Sequence, residues 1–400
     1  MPFYERWDII LKVFNARRKR VIHIKDLVSI IIPCWNARDY IEKCFSSVKA
    51  QIYANIEVIV VDNGSSDDSK QLVRRFANGL KISIIENPAN YGFSGAMNQG
   101  IEASKGEFVF ALNLDVELEP DYIEKLVKEF NDPSIGSAIG KLLRPPEYFD
   151  GKKIIDTTGH ILLANRGINS RGELEEDNGQ YDGKTDIFGV CAAAGMYRRG
   201  MLEDVKVGGE YFDEDYFASF EDTDLDWRAV LRGWRSVFVP AAVAHHKRKA
   251  FDWNYTDEML SNSRRNKFLN AVKNDYLINY LIDFPVIFAY ELENILYKHF
   301  KNYHLFFLSY YKMILALPKA FRKRMQFRGR RKIAPLAFRK YIVYEPDDHR
   351  KAMEMVFILA FITVLAHFFG AAKIWLFAVF IFFVLNPAIY YMRGKKEPVD

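Results

Sequence analysis

Between Val28 and Leu112 short apolar runs alternate with polar turns and amphipathic stretches. The runs Val28–Ile32, Ile56–Val61, Lys81–Ile85 and Glu107–Leu112 are mostly continuous rather than alternating. Continuous runs suit strands covered on both faces, so the pattern predicts a parallel sheet with helices on each side. In such sheets chemistry sits past the carboxyl ends of the strands. Those positions hold Pro33-Cys34-Trp35-Asn36, Asp62-Asn63-Gly64-Ser65, Glu86-Asn87 and Asn113-Leu114-Asp115-Val116-Glu117. Residues 145–185 are polar and Gly-containing and read as a long loop or hairpin over the sheet, either a lid or a surface excursion. Ser219–Gly233 reads as a helix, and the following apolar run ends in His245-His246.

Further along, Asn274 to Arg331 is aromatic, helical and increasingly basic. Met353–Ala372 and Ile374–Tyr391 are apolar, each near the length that crosses a bilayer core, and the short link through Lys373 predicts a transmembrane hairpin. Its flanks are basic, which places them, and the large domain, on the cytoplasmic side. A hydrophobic dimerisation hairpin is the alternative. Four parts result: an N-terminal basic amphipathic segment (1–26), an α/β domain (27–250), basic aromatic interfacial helices (251–350), and the hairpin with a short tail (351–400).

Composition sharpens this division. Half of the 400 residues are apolar, which excludes disorder and a disulfide scaffold. The net charge of +5 is too small to indicate nucleic-acid binding, but Pro318 to Lys340 holds ten Lys/Arg and no acid. Such a block suits anionic head groups or phosphates at the inner leaflet. Cys34, Cys44 and Cys191 show no paired or metal-ligand spacing and read as reduced thiols. The N-terminus shows no secretory signal pattern; its apolar residues ahead of Arg17-Arg18-Lys19-Arg20 suit a membrane-surface helix or one docked on the domain.

Taken singly, the acidic motifs are ambiguous. Asp115-Val116-Glu117 can hold a divalent cation against a diphosphate, or cap the next helix. Helix capping explains most of Asp62 to Asp67 but leaves Asp62 unused. Ser219 and Asp222 fit a capping box, yet Glu221, Asp222, Asp224 and Asp226 crowd the same helix start. Asp222 and Asp226 are like charges at i,i+4, so a cation, Arg228 or function must offset their repulsion. His245 and His246 point to opposite faces, so one of them faces a site. Gly183-Lys184-Thr185 lacks the glycine and the strand of a phosphate loop, and Gly92 opens no dinucleotide fingerprint.

In order, however, the strand-end motifs, Asn90 to Gly100, and Glu221-Asp222 through Trp227-Arg228 to His246 resemble the family 2 inverting glycosyltransferases, closely the rhamnosyltransferase-like branch. The resemblance implies a GT-A nucleotide-diphospho-sugar transferase fold over about residues 27–250. It implies that Pro33, Asn36, Asp62 and Asn63 lie at the nucleobase, Asn90, Gly95 and Asn98 near the donor sugar, and that Asp115 also contacts the donor. It implies that Asp115 and Glu117, with His246 or else His245, hold Mg²⁺ or Mn²⁺. It places Asp222 as general base, beside Glu221. The expected reaction is transfer of one sugar from a nucleotide-diphospho-sugar to a glycan or polyprenol-linked acceptor, with deoxythymidine-diphospho-rhamnose as first donor and uridine-diphospho-hexoses next. A processive polysaccharide synthase is the rival, but its Gln-x-x-Arg-Trp motif is missing: the only Arg-Trp pair is Arg6-Trp7, ahead of the domain. A nucleotide-sugar-binding scaffold without turnover is the non-enzymatic alternative.

Overall fold

The computed structural model describes residues 23–76, 80–248, 257–294, 303–351 and 353–354. The predicted hairpin and N-terminal amphipathic segment fall outside them, except for a few flanking residues. The first half alternates strictly: β1 (Ile24–Cys34), α1 (Arg38–Lys49), β2 (Ile56–Asp62), α2 (Ser69–Phe76), β3 (Ile82–Glu86), α3 (Gly92–Ala103) and β4 (Gly106–Leu112). The four apolar runs form these strands, paired in parallel in the order β3-β2-β1-β4. Val28, Ile30, Ile31 and Ile32 are wholly buried because helices cover both faces.

The chain continues through β5 (Val116–Leu118), α4 (Tyr122–Glu129), β6 (Ile135–Leu143), β7 (Ile155–Thr157), β8 (His160–Leu163), β9 (Ile168–Ser170), β10 (Asp186–Ile187), β11 (Ala194–Arg198), α5 (Arg199–Val205), α6 (Glu221–Leu231) and β12 (Arg235–His246). β11 runs antiparallel between β4 and β6, and β12 lies parallel to β6, giving a mixed, mostly parallel sheet. Residues 145–185 differ from the expected excursion. They supply β7 to the main sheet and β8 and β9 to a small second sheet, and bury Asp156, Thr157 and His160. Short strands separated by Gly and polar residues carry too little periodicity to be seen in sequence.

The basic aromatic region forms α7 (Asp257–Asn274), α8 (Leu277–Ile282), α9 (Phe284–Glu293), α10 (Tyr303–Arg328), α11 (Pro335–Phe338) and β13 (Ile342–Val343). The elements after residue 256 pack on the α/β domain. β13 pairs with β8, the Phe338 ring stacks on Trp227 at 5.8 Å, and Phe327, Phe338 and Ile342 join the core of the α/β domain. Charge ties the same seam. Lys273 contacts Asp213 and lies 2.8 Å from Asp224, while Lys323 is 2.5 Å from Asp213. Arg166 bridges Asp275 and Asp283 at 2.6 and 2.9 Å.

Much of the basic block expected to meet lipid or phosphate is therefore used internally. Lys319 pairs with Asp215, Lys323 with Asp213, and Arg339 with Asp283, while Arg330 and Arg331 donate to backbone carbonyls of Lys206 and Lys273. Arg322 and Arg328 remain exposed. Among the described residues no helix is long and apolar enough to cross a membrane.

Candidate active site

The carboxyl ends of β1 and β2 and the loops entering α3 and α6 meet around a cavity of about 1010 Å³. Pro33, Trp35, Asn63, Asn90 and Phe217 line one side, and Arg265, Lys312 and Lys319 line another together with the acids Asp215 and Glu258. Asp62 ends β2 beside it, 1% exposed. Its Oδ2 accepts from the Ser65 N–H at 3.2 Å, while Oδ1 is buried and accepts no hydrogen bond among the described residues. A buried acceptor without a donor is costly, so this atom is suited to a ligand N–H.

The polar residues around Asp62 hold its loops together. Asn36 Oδ1 accepts from the Ser66 N–H at 2.9 Å, tying the β1–α1 turn to the β2–α2 turn. Asn63 Nδ2 donates to the Gly92 carbonyl at 3.0 Å, and Asn90 Oδ1 accepts the Gly92 N–H at 2.8 Å. Gly92 has φ +75°, and a Cβ there would stand 2.5 Å from the Phe217 carbonyl oxygen, so only glycine lets the two loops touch. Asn98 and Gly95, expected near the donor sugar, belong to the helix that follows the Asn90 turn. Both are buried on α3, and Asn98 clamps the 211–214 segment, accepting from the Tyr211 and Phe212 N–H groups and donating to the Phe212 carbonyl. An amide that matches backbone donors and acceptors this fully has none to spare for substrate.

Asp115 and His246 lie 3.5 Å apart, and Asp156 holds His246 Nδ1 at 2.8 Å. Burial pulls the imidazole down, but Asp156 and Asp115 carry it up to about 10. Burial pushes Asp156 upward, yet His246 and the guanidinium groups of Arg248 and Arg144 hold it below its ordinary range. Glu117 does not join this pair. In the β5–β12 ladder Glu117 stands opposite His245 and Val116 opposite His246, so Glu117 shares a face with His245. It lies 3.3 Å from Lys43, and His245 turns to Glu119 at 3.2 Å. One carboxylate and one imidazole, the latter oriented by a buried carboxylate, fit a divalent cation whose remaining ligands come from a diphosphate.

Glu221 and Asp222 are neighbours in very different environments. Glu221 is 7% exposed, and burial together with Asp222 pushes its carboxyl up to about 8. It is therefore a protonated, inward-facing acid at neutral pH rather than a second base at the site. Asp222 is only part-buried, and its two oxygens accept from the Ala192 and Thr223 N–H groups. No capping box forms, because the N-cap of α6 is Phe220, with no side-chain cap. The predicted repulsion between Asp222 and Asp226 is offset by His160, whose Nδ1 lies 2.8 Å from Asp226 and Nε2 3.8 Å from Asp222; Arg228 pairs with Asp224 instead. Burial lifts Asp226 to about 7.

Because the folded Glu221 carboxyl keeps its proton up to about 8, while an unfolded one releases it near 4.5, its contribution is complete below pH 4.5 and lost as pH rises through 8. Glu221→Gln is thus expected to be relatively more stable than the parent at pH 8 than at pH 5, by about 2–4 kcal/mol. Thermal midpoints of both proteins at the two pH values check this, and an equal difference at both would contradict it.

The turn entering α6 is strained: Phe217, Ser219 and Phe220 have φ of 62°, 70° and 72°. Asn266, wholly buried on α7, restrains it, donating to the carbonyls of Tyr216 at 3.0 Å, Ala218 at 3.1 Å and Ser219 at 2.8 Å. One turn on, Asn270 donates to Thr223 Oγ1, and one further Asn274 donates to Asp224. Asparagine is a poor helix former, so Asn262, Asn266, Asn270 and Asn274 at fourfold spacing are a legible signal of a polar face. His160 and Asp156, by contrast, stand in no local pattern, and Cys191 shows no metal-ligand spacing in the sequence. Asn266→Ala is expected to lower turnover about 10–100-fold by loosening the turn that aims Asp222. Unchanged kcat would remove the restraint from the account.

Residues 29–206 match the model of Glycosyl transferase family 2. Over that stretch, a little under half of its length, the chain is similar to the family 2 glycosyltransferases. Over 234 residues it is 25% identical to the poly-β-1,6-N-acetyl-D-glucosamine synthase of Staphylococcus aureus (strain MSSA476), covering 58% of this chain and 52% of the synthase. The chain thus spans about half the length of that relative. Over 118 residues it is 34% identical to glycosyltransferase GlyA of Streptococcus pneumoniae serotype 4 (strain ATCC BAA-334 / TIGR4), covering 29% and 17% of the two chains. The crystal structure of GalNAc-T7 with UDP, GalNAc and Mn²⁺ superposes with a TM-score of 0.50 at 15% identity, covering 67% of this chain and 50% of that one. The likeness is one of fold: the α/β GT-A architecture.

Proposed function

We propose that this chain transfers a single sugar, with inversion, from a nucleotide-diphospho-sugar to a hydroxyl of a glycan or lipid-linked acceptor. The observation that carries the reading is the buried Asp62 Oδ1, which accepts no hydrogen bond among the described residues, beside a large cavity at the strand ends. A carboxylate acceptor there selects a base with a ring N–H, such as uracil, thymine or guanine. Asp115 and His246 would hold the divalent cation, which supplies charge stabilisation for the departing nucleoside diphosphate. Asp222 takes the proton of the acceptor hydroxyl as it attacks the anomeric carbon from the face opposite the diphosphate. Attack from that face inverts the centre. A buried, protonated Glu221 beside it leaves Asp222 as the accessible carboxylate of the pair.

The donor is either a nucleotide-diphospho-N-acetylhexosamine, as the synthase relative's name suggests, or a deoxythymidine-diphospho-deoxyhexose, as the rhamnosyltransferase-like motifs suggest. The synthase likeness also keeps polymerisation as the second reading, against which stands the missing Gln-x-x-Arg-Trp motif.

Membrane association belongs to the same proposal. On α10, Phe307, Tyr311, Ile314, Phe321 and Met325 form one exposed apolar stripe at helical spacing, with Arg322 and Arg328 exposed beside it. Lys312, Leu315 and Lys319 of this helix also line the cavity, so a bilayer under the stripe would deliver a lipid-linked hydroxyl to the site. The apolar segments after Met353 would fix the helix there, with the domain on the cytoplasmic side.

The test is a panel of uridine-, deoxythymidine- and guanosine-diphospho-sugars, assayed for nucleoside diphosphate release with Mn²⁺, with Mg²⁺ and with chelator. Release from one donor with metal, lost on chelation and about 10-fold or more weaker in Asp62→Ala, is expected. Donor binding without turnover under every condition would leave only the scaffold reading.

A further inference from the structure

We propose that His160, Cys191 and Asp222 form a second metal site, for a borderline divalent ion such as Zn²⁺, distinct from the Asp115/His246 pair, and that its occupation blocks transfer. One ligand atom from each residue lies within 4.8 Å of the other two. That spacing suits bonds of about 2.0–2.3 Å to a shared ion. A thiolate, an imidazole and a carboxylate are a donor set that Zn²⁺ accepts readily and that Mg²⁺ and Mn²⁺, which prefer oxygen, do not.

Three further features support it. Asp226 Oδ2 holds His160 Nδ1 at 2.8 Å, leaving Nε2 to face Asp222, which is the carboxylate–imidazole arrangement that orients metal-bound histidines. Gly189 makes this possible: a Cβ there would fall 2.0 Å from the Asp226 carboxyl. Cys191 and Asp222 are only part-buried, which leaves an ion a path in from solvent. Cys34 and Cys44, by contrast, are buried thiols, and burial foremost pushes the first up to about 11 and the second higher still.

The charge also balances. As the ion enters, Cys191 loses its thiol proton and His160 the proton on Nε2, so one dication replaces two protons. Nothing is oxidised or reduced. The blocking effect rests on the reading of Asp222 as base, since a coordinated carboxylate cannot take a proton from the acceptor; the site itself does not depend on that reading.

Co²⁺ titration of the full chain tests the site by spectrum. One equivalent should give visible d–d bands of a four-coordinate ion and a near-ultraviolet thiolate-to-cobalt band, both displaced by Zn²⁺ and not by excess Mg²⁺. Cys191→Ser should remove the thiolate band, His160→Gln should weaken binding at least about 10-fold, and Cys34→Ser should change neither. No thiolate band in the parent, or a band that survives Cys191→Ser, overturns the site. In parallel, Zn²⁺ occupation should abolish nucleoside diphosphate release, with recovery in Cys191→Ser. A bound ion, seen by spectrum, that leaves release unchanged keeps the site and overturns the blocking effect together with Asp222 as base.

Discussion

Asp222→Asn is expected to lower sugar transfer by about 10²–10⁴-fold while leaving nucleotide binding unchanged. The substitution keeps the shape of the side chain, removes its charge and its capacity to take a proton, and replaces one of the two oxygens that accept backbone N–H groups. Asp62 and Asp115 are carried by β2 and the turn after β4, so the residues assigned to the donor are untouched. The two effects should therefore separate cleanly. Calorimetric titration with the nucleoside diphosphate and Mn²⁺ gives the binding half, and initial rates give the other. Rates within about threefold of the parent would remove Asp222 from the base role; a matching loss of nucleotide affinity would mean that it holds the donor instead.

The second large effect concerns stability. Lys273→Met is expected to destabilise the protein by about 3–5 kcal/mol, because it leaves buried carboxylates without their central cation. Asp213 and Asp224 are 4% and 0% exposed, and Lys273 sits between them. Lys323 and Arg228 each keep one of the acids paired, which sets the upper end of that range. Lys273 belongs to α7 and the two acids to the α/β domain, so the same substitution should loosen the helices from the domain. A fall of several degrees in the thermal midpoint, with faster proteolysis between residues 248 and 330, is the expected result. An unchanged midpoint would show that the seam is held by its apolar contacts alone.

The first half of the fold was legible because buried parallel strands leave continuous apolar runs, and β1 to β4 fall where those runs lie. The strand-end rule led directly to Asp62 and to the Asp115 turn. Residues whose roles depend on long-range pairing were not legible. Glu117 was expected beside Asp115 because sequence spacing says nothing of the β5–β12 register that turns it toward Lys43. Asn98 resembled a donor contact, yet the 211–214 segment, more than a hundred residues away, takes all of its hydrogen-bonding capacity. The basic block after Pro318 looked available to lipid because the acids that engage it, Asp204, Asp213, Asp215 and Asp283, are distant in sequence. Each of these differences arises where a charged or amide side chain finds a partner that no local window contains.

The proposed reaction is a single displacement in which Asp222 deprotonates the attacking hydroxyl as the nucleoside diphosphate departs; Asp115 and His246 would hold the cation that stabilises its charge. It can be tested without knowing the acceptor, since water attacks slowly in its place. With an α-linked donor from the panel and no acceptor present, proton NMR during the first minutes records which anomer of the free sugar forms before mutarotation. The β anomer is predicted to appear first, and its formation should be lost in Asp222→Asn. Initial appearance of the α anomer would contradict the mechanism.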